Sequence, residues 1–285
     1  MNASMLFVPG IARDKFVKAC ESEAGALILD LEDSVAGDRK ADARAAVVDM
    51  LRQGSGGQTL WVRVNPQASG LLLQDLAAVL PARPFGIMLP KCCGRESLLQ
   101  VAAYLDALEV AHGIEPGQTR LLPIVTETAA SLFRLGELAG ATPRLWGMAW
   151  GAEDLATDVG TLSNADAQGY TEPFRLARSL CLFAAAAAGV RPVDTVCVAL
   201  RDEARVLKES QDACRDGFVA KMAIHPAQLA PINEGFTPSA ERVEWARRVV
   251  AAFQANPGLA AHQLDGKMID EPHLKLARRI LEGNR

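Results

Sequence analysis

Two neighbouring carboxylates, Glu153 and Asp154, follow a glycine at the end of an apolar run in the segment AWGAEDLATDVG, 149–160. Adjacent carboxylates repel and are costly to desolvate. The pair therefore either starts an exposed helix or faces something positive. Other apolar runs end in residues of the same kind. ALILDLED leaves Asp30, Glu32 and Asp33 at its C-terminal side, and WVRVNP carries Arg63 and Asn65. GIMLPK ends in Lys91, IVTET ends in Thr126 and Glu127, and the last run ends in His225. Singly, each has a bland reading: Asp33 as a turn cap, Lys91 as a solvated loop end, Glu127 as a helix cap. As a set, these carboxylates with one Arg and one Lys leave an excess of negative charge that a hard divalent cation would neutralise. Oxygen ligands, few and from separate segments, fit Mg2+ better than Ca2+ or Zn2+. Glu127 and Asp154 are the best pair of direct ligands. A Schiff-base role for Lys91 would need a lowered pKa, which so many nearby acids oppose.

The elements that would position these residues can be read from apolar periodicity. Eight short runs, at 5–8, 26–31, 60–64, 86–89, 121–125, 145–149, 195–199 and 219–224, are continuously apolar. Strands buried on both faces look like this. Helix-like stretches lie between them, among them 38–51, 96–112, 129–138, 172–188 and 202–216. Eight such repeats predict an α/β fold, a (β/α)8 TIM barrel over residues 1–235. An open doubly wound sheet is the alternative, weakened by the lack of a GxGxxG after the first run. Barrel sites sit at the C-terminal ends of the strands, so the residues above are expected on one rim. Beyond the barrel, Pro226, Pro231 and Pro238 punctuate the chain. A helix at 240–255 would place Trp245, Val249 and Phe253 on one face. A linker, NPGLAAHQLDGKMIDEP, and a last helix at 273–282 follow. Residues 236–285 are not needed to close a barrel and are expected to form a lid or a subunit-contact arm.

Composition narrows the function classes. The 285 residues are 49% hydrophobic and carry a net charge of −4. That allows a large core and offers no basic patch for nucleic acid. The start, MNASMLFVPG, reads neither as a signal peptide nor as a membrane span, and no later run is long enough to cross a bilayer. The six cysteines show no CxxC spacing and read as reduced thiols of a cytoplasmic protein. Adjacent Cys92 and Cys93 as a reactive site is the minor reading. Unclustered histidines argue against zinc.

Taken in order, LFVPG, ALILDLEDSV, WVRVNP, GIMLPK, IVTETAAS, WGMAWGAEDL, AIHPAQ and DGKMIDEP closely resemble the CitE-like proteins of the HpcH/HpaI aldolase/citrate lyase superfamily. That group holds the citrate lyase beta subunit, malyl-CoA lyase and citramalyl-CoA lyase. The resemblance implies a TIM barrel with a C-terminal arm, a homotrimer or hexamer, Mg2+ dependence and acyl-CoA substrates. By motif, it places Mg2+ on Glu127 and Asp154, and makes Arg63 a catalytic residue that contacts substrate. Glu32 and Asp33 would lie close behind the metal's waters, Asp33 with a catalytic part and Lys91 beside Glu32 as support. Glu127 and the backbone N–H groups at Gly151 and Ala152 would meet the substrate, with its carboxylate at a helix start. Asp270 would act as general acid in a neighbouring subunit's site. The implied reaction is cleavage of a citryl-, citramalyl- or malyl-CoA type 3-hydroxyacyl-CoA to acetyl-CoA and a 2-oxo acid. Alternatives are a citrate lyase beta subunit acting on a carrier-protein thioester, and a thioesterase on the same scaffold. Two departures bear on the substrate. Ala3-Ser4 stand where many relatives have Arg-Ser, and Cys92-Cys93-Gly94 follow LPK where relatives often have an acid.

Overall fold

The apolar runs become parallel strands and the stretches between them helices, in a computed structural model that describes residues 2–166, 169–255 and 258–282. The chain opens with β1 (Ser4–Pro9), α1 (Arg13–Cys20), β2 (Ala26–Asp30), α2 (Lys40–Gln53), β3 (Thr59–Arg63) and α3 (Leu72–Val79). It continues with β4 (Gly86–Leu89), α4 (Arg95–Ala111), β5 (Arg120–Pro123), the single turn α5 (Ala129–Leu132), β6 (Gly147–Ala149) and α6 (Glu153–Val159). A short antiparallel pair, β7 (Ala165–Asp166) and β8 (Gly169–Tyr170), precedes α7 (Glu172–Ala188). Then come β9 (Arg191–Asp194), α8 (Glu203–Asp216), β10 (Ala220–Ala223) and α9 (Leu229–Gly235).

Eight parallel strands line up in the order β5-β4-β3-β2-β1-β10-β9-β6. The two ends meet through bridges Leu121–Leu145 and Ile124–Ala149, which close the ring. The fold is a (β/α)8 barrel. Alternate strand residues such as Ile28, Trp61, Met88, Leu122 and Met222 fill its interior, while Leu27, Leu29, Val62 and Ile87 pack outward on the helices. Both faces are thus apolar, as the continuous runs require. At the N-terminal end Trp61 meets Phe85 and Trp146 edge to face, at centroid distances of 5.1 and 5.0 Å. Such contacts contribute about 1 kcal/mol each beyond burial. Gly86 is required there, because a Cβ would sit 2.3 Å from Cζ3 of Trp61. With that end plugged, ligand access falls to the other.

The remaining elements are α10 (Ala240–Ala255), the antiparallel pair β11 (Ala261–Leu264) and β12 (Lys267–Asp270), and α11 (Glu271–Glu282). They share a small core of Ala246, Val249, Ile269 and Ala277. Leu276 and Ile280 of α11 line a groove with Phe218 and Val219, at the N-terminal end of β10. No helix among the described residues is long and apolar enough to cross a membrane.

Three expectations need correction. The seventh strand is Arg191–Asp194, not 195–199. Its sequence holds a proline and two charges, and it can be a strand because Asp194 is neutralised in the interior by Lys221 at 2.8 Å. The expected linker 256–272 contains the β11–β12 hairpin, turned by Asp265 and Gly266 at positive φ of 49° and 75°, the geometry that Asp-Gly favours. Asn256 and Pro257, within that linker, lie outside the described residues. The helix expected at 129–138 breaks after one turn into a separate 3-10 turn, Leu135–Leu138.

Candidate active site

The C-terminal ends of the strands surround a cavity of about 410 Å³, whose lining includes Arg63, Glu127, Gly151, Asp154, Phe7 and Met222. Arg63 ends β3, directly across the ladder from Asp30, which ends β2. The two form a bidentate pair, Nε to Oδ1 and Nη2 to Oδ2, both 2.7 Å. Asp30 also accepts the N–H of Glu32 at 2.9 Å and of Ser34 at 3.1 Å. Burial opposes its charge, but Arg63 and these donors prevail and lower its pKa. The remaining nitrogen, Nη1, faces Glu32 at 3.1 Å and Asp33 at 3.4 Å. The guanidinium also lies 4.7 Å from the Phe7 ring centroid. Arg63 is thus fixed on three sides.

Lys91 follows β4 with φ of 51°, an uncommon conformation for a side chain with a Cβ. That turn lets its backbone N–H donate to Glu127 at 2.5 Å while its ammonium meets Glu32 at 2.7 Å and Asp154 at 3.2 Å. Burial works against its charge, but the hydrogen bond and charge of Glu32 raise its pKa well above the usual lysine range. An ammonium held between two carboxylates is a poor amine nucleophile, which counts against the Schiff-base reading.

Glu127 is 5% exposed, and its pKa is pushed up to about 8, first by burial and then by the charges of Asp154 and Glu32. Glu32 is lifted in the same direction by burial, against Arg63 and Lys91. Its buried Oε2 has no hydrogen-bond partner. Gly151 gives Glu127 its place: a Cβ there would lie 2.7 Å from the Glu127 Cγ and 3.2 Å from its Oε1. Thr126 fixes the loop by accepting the Gly151 N–H at 3.0 Å and donating to its carbonyl at 3.2 Å. Gly151 and Ala152 line the cavity where α6 begins, and no side chain caps that helix start. Glu153 turns to Asn164, whose amide donates to it at 2.8 Å.

This donor set fits a small hard cation. Buried carboxyl oxygens lack full compensation: Glu127 by its raised pKa, and Glu32 by an Oε2 that has the Arg63 charge at 3.1 Å but no well-aligned hydrogen bond. Among the described residues no three His, Cys, Asp or Glu side chains form a ready-made metal cage. Mg2+ does not need one, since it takes one or two carboxylates and completes its shell with water and substrate oxygens.

The chain therefore brings Glu32, Asp33, Arg63, Lys91, Glu127, Gly151, Ala152 and Asp154 together. Asp270 is not in the set; it sits on the arm, at the end of β12, paired with His273. Asn65 turns to Asp75 at 2.7 Å, and His225 caps a turn by accepting the Ala227 N–H at 3.2 Å. Burial pushes the Cys92 thiol up to about 12, so it is inert. Two partners carried no assigned role in the sequence reading: Asp30, which holds Arg63, and Thr126, which holds Gly151. Both were visible as polar residues at strand ends, but their partners follow from strand register alone.

Residues 3–226 match the family model for HpcH/HpaI aldolase/citrate lyase. The chain is 33% identical to mitochondrial citramalyl-CoA lyase of Rattus norvegicus, over 98% of this chain and 84% of that protein. It is 36% identical to citrate lyase subunit beta of Escherichia coli, over 98% of this chain and 91% of that one. A crystal structure of CitE from Mycobacterium tuberculosis, in complex with magnesium, acetoacetate and coenzyme A, superposes with a TM-score of 0.81 at 33% identity, covering 99% of this chain and 97% of that chain. The barrel, its rim and these likenesses agree: the chain belongs to the HpcH/HpaI aldolase/citrate lyase family.

Proposed function

We propose that this protein is a Mg2+-dependent carbon–carbon lyase that cleaves a 3-hydroxyacyl-CoA to acetyl-CoA and a 2-oxo acid. The observation that carries the reading is Glu127 and Asp154 facing one cavity with Arg63. The relatives named for citramalyl-CoA and citrate cleavage, and the neighbour holding magnesium and coenzyme A, support it. Residues 1–235 would form the catalytic barrel and 236–285 the arm.

Glu127 and Asp154 would hold Mg2+, which when bound supplies Lewis-acid polarisation of the substrate's hydroxyl oxygen. The backbone N–H of Ala152 receives the substrate carboxylate at the start of α6, while the N–H of Gly151 is held by Thr126. Asp33, exposed beside Arg63 on the rim, takes the proton of the C3 hydroxyl. The C2–C3 bond breaks, C3 becomes the keto carbon of the 2-oxo acid, and the bonding pair moves into the thioester as an enolate. Arg63 Nη1 stabilises the charge that develops on the thioester oxygen. Asp270 of a second copy donates the proton that turns the enolate carbon into the methyl group of acetyl-CoA. A homotrimer or hexamer would supply that copy.

The test is acetyl-CoA release from citryl-, citramalyl- and malyl-CoA, each with Mg2+ and with EDTA. The lyase reading expects Mg2+-dependent release from at least one. No release from any, or release indifferent to EDTA, would overturn it. Free CoA in place of acetyl-CoA would mean a thioesterase, and turnover of a carrier-protein thioester alone would mean a citrate lyase beta subunit.

A further inference from the structure

Charges around the cavity are unevenly matched. Among the described residues that line it, five are acids, Asp30, Asp33, Glu127, Glu153 and Asp154, and one is a cation, Arg63. That cation is already shared among Asp30, Glu32 and Asp33. Two lysines reach the same part of the rim and are engaged in turn. Lys91 meets Glu32 and Asp154, and Lys40 donates to the carbonyl oxygens of Leu31 and Glu32. Even a bound divalent cation would leave this lining negative.

One arc of the rim carries no charge. Phe7 of β1, Met222 of β10 with Ile224 just beyond it, and Val196 just beyond β9 come from three neighbouring strands and line the cavity. Thr195 adds a neutral hydroxyl there. In the closed ring β1 is four strands from β5 in either direction, so this wall begins across the cavity from Glu127. In the proposed reaction three of the four bonds at C3 already have a direction. The hydroxyl faces Glu127 and Asp154, the carboxylate meets the Ala152 N–H, and C2 leads to the thioester at Arg63. The remaining substituent takes the rest of the lining, which is the apolar wall.

We propose that Phe7, Val196, Met222 and Ile224 select a substrate whose C3 substituent is short and uncharged, so that the 2-oxo acid released has a single carboxylate. The inference rests on the lyase reading above. The three candidate thioesters differ only at this substituent: hydrogen in malyl-CoA, methyl in citramalyl-CoA, and a methylene bearing a second carboxylate in citryl-CoA. That second carboxylate would be desolvated against apolar groups, close to acids and with no free cation to meet it. A methyl group gains contact with the same wall, where hydrogen leaves a gap.

With Mg2+ present, kcat/KM for acetyl-CoA release from the three thioesters and calorimetric binding of pyruvate and oxaloacetate would be measured for wild type, Ile224→Lys and Ile224→Gln. Ile224 is 38% exposed, so a longer polar side chain there leaves the core packed. Citramalyl-CoA should lead malyl-CoA by about 10-fold, the scale of one carbon in an apolar pocket. It should lead citryl-CoA by about 100-fold or more, because like charges brought together unpaired are strongly disfavoured. Pyruvate should bind more tightly than oxaloacetate. Ile224→Lys should raise the citryl-to-citramalyl ratio by about 10-fold or more, and Ile224→Gln should not, since the gain needs a charge. Citryl-CoA turned over as well as citramalyl-CoA, malyl-CoA ahead of both, or an unchanged ratio in Ile224→Lys would overturn the inference and leave the lyase reading standing. A wild type inactive on every thioester would take the lyase reading down, and the inference with it.

Discussion

A methyl group added at position 151 tests the site more selectively than removing a ligand. Gly151 does not have a positive φ, so alanine is allowed there by the backbone. Its Cβ would still press on the buried Glu127, 2.7 Å from Cγ. Gly151→Ala should lower Mg2+ affinity and cut turnover by about 10-fold or more, a displacement effect at a ligand, while circular dichroism shows an unchanged fold. Asp154→Ala should abolish Mg2+-dependent turnover outright, and full activity in that variant would remove Asp154 from the metal. Asp30→Asn leaves Arg63 without its bidentate anion. Its kcat should fall about 10-fold or more with KM less affected, because Arg63 is then free to swing toward Glu32 and Asp33. At this scale the gathering of the residues was legible in the sequence: acids and cations at the ends of apolar runs meet on one rim. The hold of Asp30 on Arg63 was not, because it depends on which residues of β2 and β3 face each other.

Elements are held by a different set of charges. Glu109, in the last turn of α4, accepts the N–H of Gly117 at 2.7 Å and of Thr119 at 2.8 Å, which pins the loop entering β5. Arg144, just before β6, donates to the same carboxylate at 3.0 Å. Burial opposes the charge of Glu109, yet Arg144 and the backbone donors bring its pKa down to about 2. A free glutamate titrates near about 4.3. Between those values the unfolded chain binds more protons than the native one. The stabilisation is therefore complete above about 4.3 and is lost as pH falls through about 2. Glu109→Gln should destabilise by about 3 kcal/mol at pH 6. Denaturant unfolding at pH 6 and at pH 3 should show the gap to wild type narrowing at the lower pH. A constant gap would mean that Glu109 contributes shape rather than charge. Helices and most strands were readable from periodicity, since their faces are cleanly apolar. The seventh strand was not, because Asp194 looks like a loop residue until Lys221 is seen beside it. The β11–β12 hairpin had its signal, Asp-Gly between alternating residues, hidden inside a stretch that looked like a linker.

For the whole molecule, the barrel was legible because eight both-sides-buried strands admit few arrangements, and the place of the arm was not. Its groove against Phe218 and Val219 is at the N-terminal end of β10, whereas Glu127 and Asp154 face the opposite end. With the arm seated there, the proposed part of Asp270 would be played in another copy's site. Mixing the inactive Asp154→Ala and Asp270→Ala proteins, with subunit exchange, should restore part of the activity, since some sites then combine an intact Asp154 with an intact Asp270. No recovery would mean that each arm serves its own barrel. The closure of the ring carries a last consequence. Seven neighbouring strand pairs form continuous ladders, but β5 and β6 touch only through two isolated bridges. Glu127 and Asp154 hang from the two sides of that seam. An ion held by both, as proposed, would act as a rivet across the loosest joint of the tube. Stripping it should let the amide protons of Leu121, Val125 and Trp146, which cross the seam, exchange with solvent sooner than those of β1 and β2. The same ion that makes the reaction possible would keep the barrel from breathing open.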